Sequence, residues 1–168
     1  MSGTIAADGT EYGSVFSVCL PSAEPGQSNG SASKPSILSH SCSGTILYIE
    51  DNPASRALMR SIFMPFPEVR LLLASSAEEG IGVAREEKPA VIFMDINLPG
   101  MNGIDAVKNL RSDPALSQSR MIALSADAMQ HQIEAALAAG FDHYLTKPVD
   151  INDIVAQVER FGMSDDRV

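Results

Sequence analysis

The chain has 168 residues, 21 of them acidic against 12 basic, for a formal net charge of −9. That balance argues against a nucleic-acid binder or a direct contact with anionic membrane surfaces, both of which need clustered Lys and Arg. No apolar run approaches the roughly 20 residues of a membrane span, and Met1–Ile5 has neither a basic nor an apolar signal region. The two cysteines, Cys19 and Cys42, form no CxxC pair, so neither a disulfide framework nor a zinc site is indicated. A cytoplasmic protein is expected.

Residues 1–20 carry two short β-like runs, Gly3–Ala7 and Ser14–Leu20, with Asp8-Gly9 supplying turn chemistry between them. From Pro21 to Gly44, 14 of 24 residues are Ser, Gly or Pro, without apolar periodicity. Such a stretch buries too little surface to offset its ordering entropy and reads as a flexible linker. From residue 45 onward the pattern is that of a folded domain.

In that part, strand and helix signals alternate. Apolar runs at Thr45–Glu50, Val69–Ala74, Ala90–Asp95, Met121–Ser125 and Phe141–Thr146 suit parallel strands covered on both faces. Between them, Asn52-Pro53 offers an N-cap and a proline at the first helical position, and Pro65 ends that helix. Ser76 with Glu79 forms a capping-box pattern before Gly80–Glu87, and Pro89 is the stop. Gly103–Arg111 and Met129–Ala139 follow, the second closed by Gly140 as a left-handed cap. Asp150–Phe161 ends the series, with Ile151, Ile154, Val155 and Val158 at helical spacing.

Five βα units with right-handed crossovers predict an α/β fold, a flavodoxin-like doubly wound five-stranded parallel sheet of order 2-1-3-4-5 with helices on both faces. Ligands in such sheets sit beyond the carboxyl ends of the strands. Those ends carry Glu50-Asp51, Asp95, Ser125 and Thr146-Lys147. Two carboxylates 4 Å apart repel by about 4 kcal/mol at an effective dielectric near 20, so three require compensation. Lys147 supplies one cation. All-oxygen donors without His or Cys favour Mg²⁺, with Mn²⁺ the alternative, as the other. A carboxylate beside a metal and a lysine is suited to accept a phosphoryl group.

Glu50-Asp51, the run Met94–Gly103 (MDINLPGMNG), Ser125-Ala126 and Lys147-Pro148 together resemble the receiver domain of two-component signalling proteins, over 45–163. The resemblance implies that Asp95 takes a phosphoryl group from phosphohistidine. It also implies that Asp51, Asp95 and the carbonyl of Asn97 bind Mg²⁺ while Glu50 acts through water. Lys147 and Ser125 would contact the phosphoryl group, and Ala126 would leave room beside it. Tyr144 would be the switch aromatic coupled to Ser125, although a half-buried aromatic beside an edge strand accounts for it equally well. Asn97 and Asp127 would set the phosphoryl lifetime, and Lys147-Pro148 would be cis.

Each residue also has a plain structural reading. Asp51 and Asn52 suit helix caps, Asp95 a loop-facing end of a strand, Ser125 a cap and Lys147 a solvated charge. Four stations at the ends of the expected strands favour the shared chemical role. His40, His131 and His143 lack metal-ligand spacing and read as surface residues.

Residues 2–5 (SGTI) and 13–21 (GSVFSVCLP) resemble the last two strands of a histidine-kinase ATP-binding domain. The expected organisation is therefore a kinase-domain remnant at 1–20, a linker at 21–44, a receiver at 45–163 and a tail at 164–168, from a hybrid histidine kinase. The expected partners are a histidine kinase core or a histidine phosphotransfer protein, with no turnover of an external substrate by this chain. A stand-alone receiver acting as a phosphorylation-controlled binding module is the alternative. A dehalogenase-type phosphatase is disfavoured because Asp95-Ile-Asn97 lacks the second acid of Asp-x-Asp.

Overall fold

The computed structural model describes residues 4–10, 13–19 and 44–161. Two units, Met1–Leu38 and Ser39–Val168, are separable by their internal packing. In the first, β1 (Thr4–Thr10) pairs antiparallel with β2 (Gly13–Cys19). Asp8 and Gly9 do not turn the chain: they lie inside β1, opposite Val15 and Ser14, and pairing runs on to Thr10 opposite Gly13. Asp-Gly favours a turn only where the register puts it at the apex, and here the ladder extends past it. The linker segment 21–43 and the tail 164–168 lie outside the described residues.

The second unit contains β3 (Gly44–Ile49), α1 (Pro53–Phe63), β4 (Val69–Ala74), α2 (Ala77–Glu87), β5 (Val91–Asp95), α3 (Gly103–Arg111), a 3₁₀ turn at Pro114–Leu116, β6 (Arg120–Ser125), α4 (Gln130–Ala139), β7 (His143–Thr146) and α5 (Ile151–Phe161). The strands form one parallel sheet in the order β4-β3-β5-β6-β7, the expected 2-1-3-4-5 counted within the sheet. Parallel pairing demands a crossover after every strand, and the helices that provide it cover both faces.

Alternation along the strands divides the core into two layers. Leu47, Ile49, Ile92, Met94, Met121 and Ala123 face α2, α3 and α4, meeting Ile81, Ala84, Val107, Leu110 and Ala136. Ile46, Tyr48, Phe93, Ile122 and Leu124 face α1 and α5, meeting Met59, Ile62, Phe63, Ile154 and Val158. Burying a side chain of this size contributes about 2 kcal/mol, so the sheet is held from both sides.

Local signals set the helix ends. The Asn52 side chain accepts from Ala54 N ahead of Pro53, as expected of a cap. Ser76 caps α2 through Glu79 N, but the Glu79 carboxylate turns back to Ser75 N and Oγ rather than to Ser76, so the capping box is only half formed. Lys88 ends α2 in the left-handed region at φ 47°. Gly140 closes α4 at φ 124°, a conformation that glycine adopts without a Cβ penalty. In α5 Ile154 and Val158 are buried, whereas Ile151 at the first turn is 46% exposed. Helical spacing marks the stripe, but burial covers it only from Ile154 onward.

The amino ends of the last two strands are clipped together. The Asp142 carboxylate accepts from the Arg111 and Arg120 guanidinium groups and from Met121 N. Arg111 also donates to Gly140 O and Ser119 O. Phe141 N bonds back to Ala136 O in the last turn of α4, so Phe141 packs in the core yet precedes β7, which starts at His143. Among the described residues, no helix is long and apolar enough to cross a membrane.

Candidate functional site

At the carboxyl ends of β3 and β5 the chain leaves the sheet carrying acids. Glu50 and Asp95 are 2% and 6% exposed, while Asp51 is exposed. One carboxylate oxygen from each of Glu50, Asp51 and Asp95 lies within 4.8 Å of the other two. Burying charges at this spacing is unfavourable unless cations offset them.

Lys147, directly after β7, provides the offset inside the chain. Its Nζ donates to Glu50 Oε2 at 2.6 Å and to Asp95 Oδ2 at 2.5 Å, and its side chain is 26% exposed. Burial alone pulls the ammonium down, but its hydrogen bonds to Asp95 and Glu50, reinforced by their charges, outweigh this and hold its pKa above the usual lysine value. The solvated-charge reading of Lys147 is thus not what the fold adopts. The Lys147-Pro148 peptide is cis, as the resemblance implied.

The remaining contacts fix the carboxylates. Asp95 Oδ1 accepts from Asn97 N at 2.8 Å, and Glu50 Oε1 accepts from Asn52 N at 3.3 Å. Ser125 is buried at the end of β6, where its Oγ accepts from Asp127 N. Its carbonyl accepts from Lys147 N at 2.7 Å, tying the end of β6 to the start of the last loop. Tyr144 is half-buried against the α2–α3–α4 layer, and its hydroxyl donates to Asp127 O at 2.6 Å. Glu50, Asp51, Asp95, Asn97, Ser125, Asp127 and Lys147 therefore follow or end strands at this rim of the sheet, and Tyr144, lower in β7 opposite Ala123, reaches it through its hydroxyl. His131 is exposed and His143 half-buried, neither among the clustered carboxylates.

Two residues were missed. Tyr48 is buried in β3, and its hydroxyl donates to Glu50 Oε2 at 3.0 Å. Burial first, then the charge of Glu50 and the hydrogen bond to it, push this phenol well above its usual pKa. Strand alternation carried the signal, since residues 48 and 50 share a face. Arg56 in α1 donates from Nη1 to the carbonyls of Glu50 and Asp51 at 2.6 and 2.8 Å. Residue type alone gave no sign of it.

The donor set fits a hard divalent cation. All three acids present oxygen, and their spacing allows one ion to be shared. Lys147 occupies one oxygen of Glu50 and one of Asp95 without closing the cluster to the exposed Asp51.

Comparison with known proteins agrees with this geometry. The family model described as response regulator receiver domain matches residues 46–159. The nitrate/nitrite response regulator NarL of Escherichia coli K12 is 33% identical over 112 residues, spanning 66% of this chain and 51% of NarL, so the chain covers about half of that relative. The receiver domain of sensor histidine kinase PA1611 from Pseudomonas aeruginosa, solved with a magnesium ion coordinated in its active-site cleft, superposes with a TM-score of 0.66 at 27% identity over 73% of this chain and 99% of that one. The receiver of Saccharomyces cerevisiae Ssk1, solved in complex with the histidine phosphotransfer protein Ypd1, gives 0.65 at 27% identity over 71% and 89%.

Proposed function

The chain belongs to the response regulator receiver family, and on that footing we propose that it accepts a phosphoryl group on Asp95 in a Mg²⁺-dependent reaction. The observation that carries this reading is the Lys147 ammonium bridging Glu50 and Asp95 beside a third carboxylate. A carboxylate oxygen of Asp95 attacks phosphorus of a phosphohistidine, the P–O bond forms as the P–N bond breaks, and the imidazole keeps the electron pair. Asp51, Asp95 and the Asn97 carbonyl would hold the metal, with Glu50 acting through a water, and the ion would supply positive charge against the transferred group. Lys147 is placed to exchange its contact with Asp95 for one with the phosphoryl oxygens. Ser125 donates its hydroxyl to the same group, and Asn97 and Asp127 set the phosphoryl lifetime.

The switch reading of Tyr144 rests on its bond to the carbonyl of Asp127, the same residue whose N donates to Ser125 Oγ. The proposed donor is a histidine kinase core or a histidine phosphotransfer protein in the cytoplasm, in line with the complex of the Ssk1 receiver. The paired strands β1 and β2 and the resemblance of residues 2–5 and 13–21 favour the end of a hybrid kinase as the parent protein.

Intact-mass analysis after incubation with acetyl phosphate and Mg²⁺ tests the reading. One phosphoryl adduct is expected, absent from Asp95→Asn and from a chelated sample. An adduct that survives in Asp95→Asn would refute the assignment.

A further inference from the structure

Glu50 and Asp51 are consecutive, and consecutive residues of a strand point to opposite faces. Both carboxylates reach one rim only because the chain bends out of β3 after Ile49. Glu50 N still bonds to Ala74 O, the last residue of β4, but beyond it the sheet offers no further ladder partner. The carbonyls of residues 50 and 51 must find donors elsewhere.

Arg56 supplies them. Its Nη1 reaches Glu50 O at 2.6 Å and Asp51 O at 2.8 Å, while its own amide donates to Asn52 O in the first turn of α1. Asn52 caps that turn through Ala54 N, so bend, cap and guanidinium close one short circuit of hydrogen bonds. Among the described residues the guanidinium forms no ion pair with Glu50, Asp51 or Asp95. Among the described residues the hydrogen bonds its side chain donates run to backbone oxygens, while the Glu79 carboxylate feels its charge without a direct ion pair.

We propose that Arg56 is a positioning residue for the metal site, holding the Glu50-Asp51 bend in the one shape that presents both carboxylates to a shared divalent cation. The proposal rests on the Mg²⁺ reading above. It makes a sign prediction that separates geometry from charge. A nearby cation repels Mg²⁺, so deleting it would by charge alone tighten metal binding. A clamp acts in the opposite sense: residues that orient metal ligands typically change affinity by about tenfold or more when removed.

The test is a calorimetric Mg²⁺ titration of the full chain and of Arg56→Met, each shown to be folded by its thermal transition. Arg56→Met is expected to bind Mg²⁺ about tenfold more weakly despite the lost positive charge. Should that variant not fold, Arg56→Gln, neutral and too short to span both carbonyls, carries the same expectation. Equal or tighter binding by the variant overturns the clamp and leaves the metal reading intact. Absence of Mg²⁺ binding by the unaltered chain overturns the metal reading and the clamp with it.

Discussion

Glu50 and Lys147 lie 97 residues apart in the chain and 2.6 Å apart in space. The first directly follows β3, the second follows the edge strand β7, and only the finished sheet brings them together. Lys147 simultaneously contacts Asp95, so a single ammonium separates two buried carboxylates.

Lys147→Met removes that separation. With the lysine partly solvated, the expected loss of stability is about 2 kcal/mol rather than the larger cost of a wholly buried pair. The two carboxylates left without a cation should bind Mg²⁺ more strongly than before. Urea denaturation with and without Mg²⁺ checks this: the metal is expected to stabilise the variant more than the unaltered chain. Phosphoryl adduct formation should fall by about two orders of magnitude, as when a transition-state charge contact is deleted.

The pH dependence follows from two raised pKa values. Lys147 and Tyr48 both hold their protons more tightly in the folded chain than in the unfolded one. Their contribution to stability is complete below the unfolded values, about 10 for tyrosine and 10.4 for lysine, and is lost as pH rises through the folded values. Urea midpoints measured between pH 7 and pH 12 are expected to hold steady to about pH 9.5 and then decline. Tyr48→Phe should make the decline shallower, and phenolate absorbance of Tyr48 should appear only with unfolding.

Glycines at two positions call for opposite outcomes. A Cβ on Gly103 would lie 2.6 Å from Asp95 O and 2.8 Å from Ile96 Cα, both backbone atoms that cannot turn aside. Gly103→Ala is therefore expected to cost about 3 kcal/mol and to displace the residue that carries the acceptor. Gly82 lies on the exposed side of α2 with nothing within 4 Å of such a Cβ. Gly82→Ala should stabilise by about 0.8 kcal/mol, through helix propensity alone. Thermal denaturation of both variants provides the check.

Asp142→Ala tests the other end of the sheet. It strips Arg111 of its carboxylate and leaves Met121 N without its side-chain acceptor, for an expected loss of about 2 kcal/mol. Adduct formation per folded molecule should be unchanged, because no atom of this clip touches the carboxylate cluster.

The sheet order and the acids at its rim were legible in the sequence because apolar runs ending in Asp or Glu leave few other readings in an alternating βα pattern. Asp95 and Lys147 required no contact information, only the rule that parallel strands share a carboxyl end. Arg56 and the Arg111–Asp142 clip were invisible for a different reason. Their bonds run to main-chain oxygens or across 31 residues, and any residue type could have supplied those oxygens. Asp8-Gly9 misled because a two-residue preference was weighed without the register of the strands around it. Ile151 misled because helical spacing carries no record of how far along a stripe burial extends.

Tyr48 and Tyr144 approach the site from opposite faces of the sheet, one bonded to Glu50 and the other to Asp127. The chain contains no tryptophan and three tyrosines in all. Its intrinsic ultraviolet signal is thus dominated by rings that belong to the site's own hydrogen-bond network. Replacing either ring with phenylalanine dissects that signal by layer, so events at the rim can be assigned to the α1–α5 side or the α2–α3–α4 side without attaching a dye.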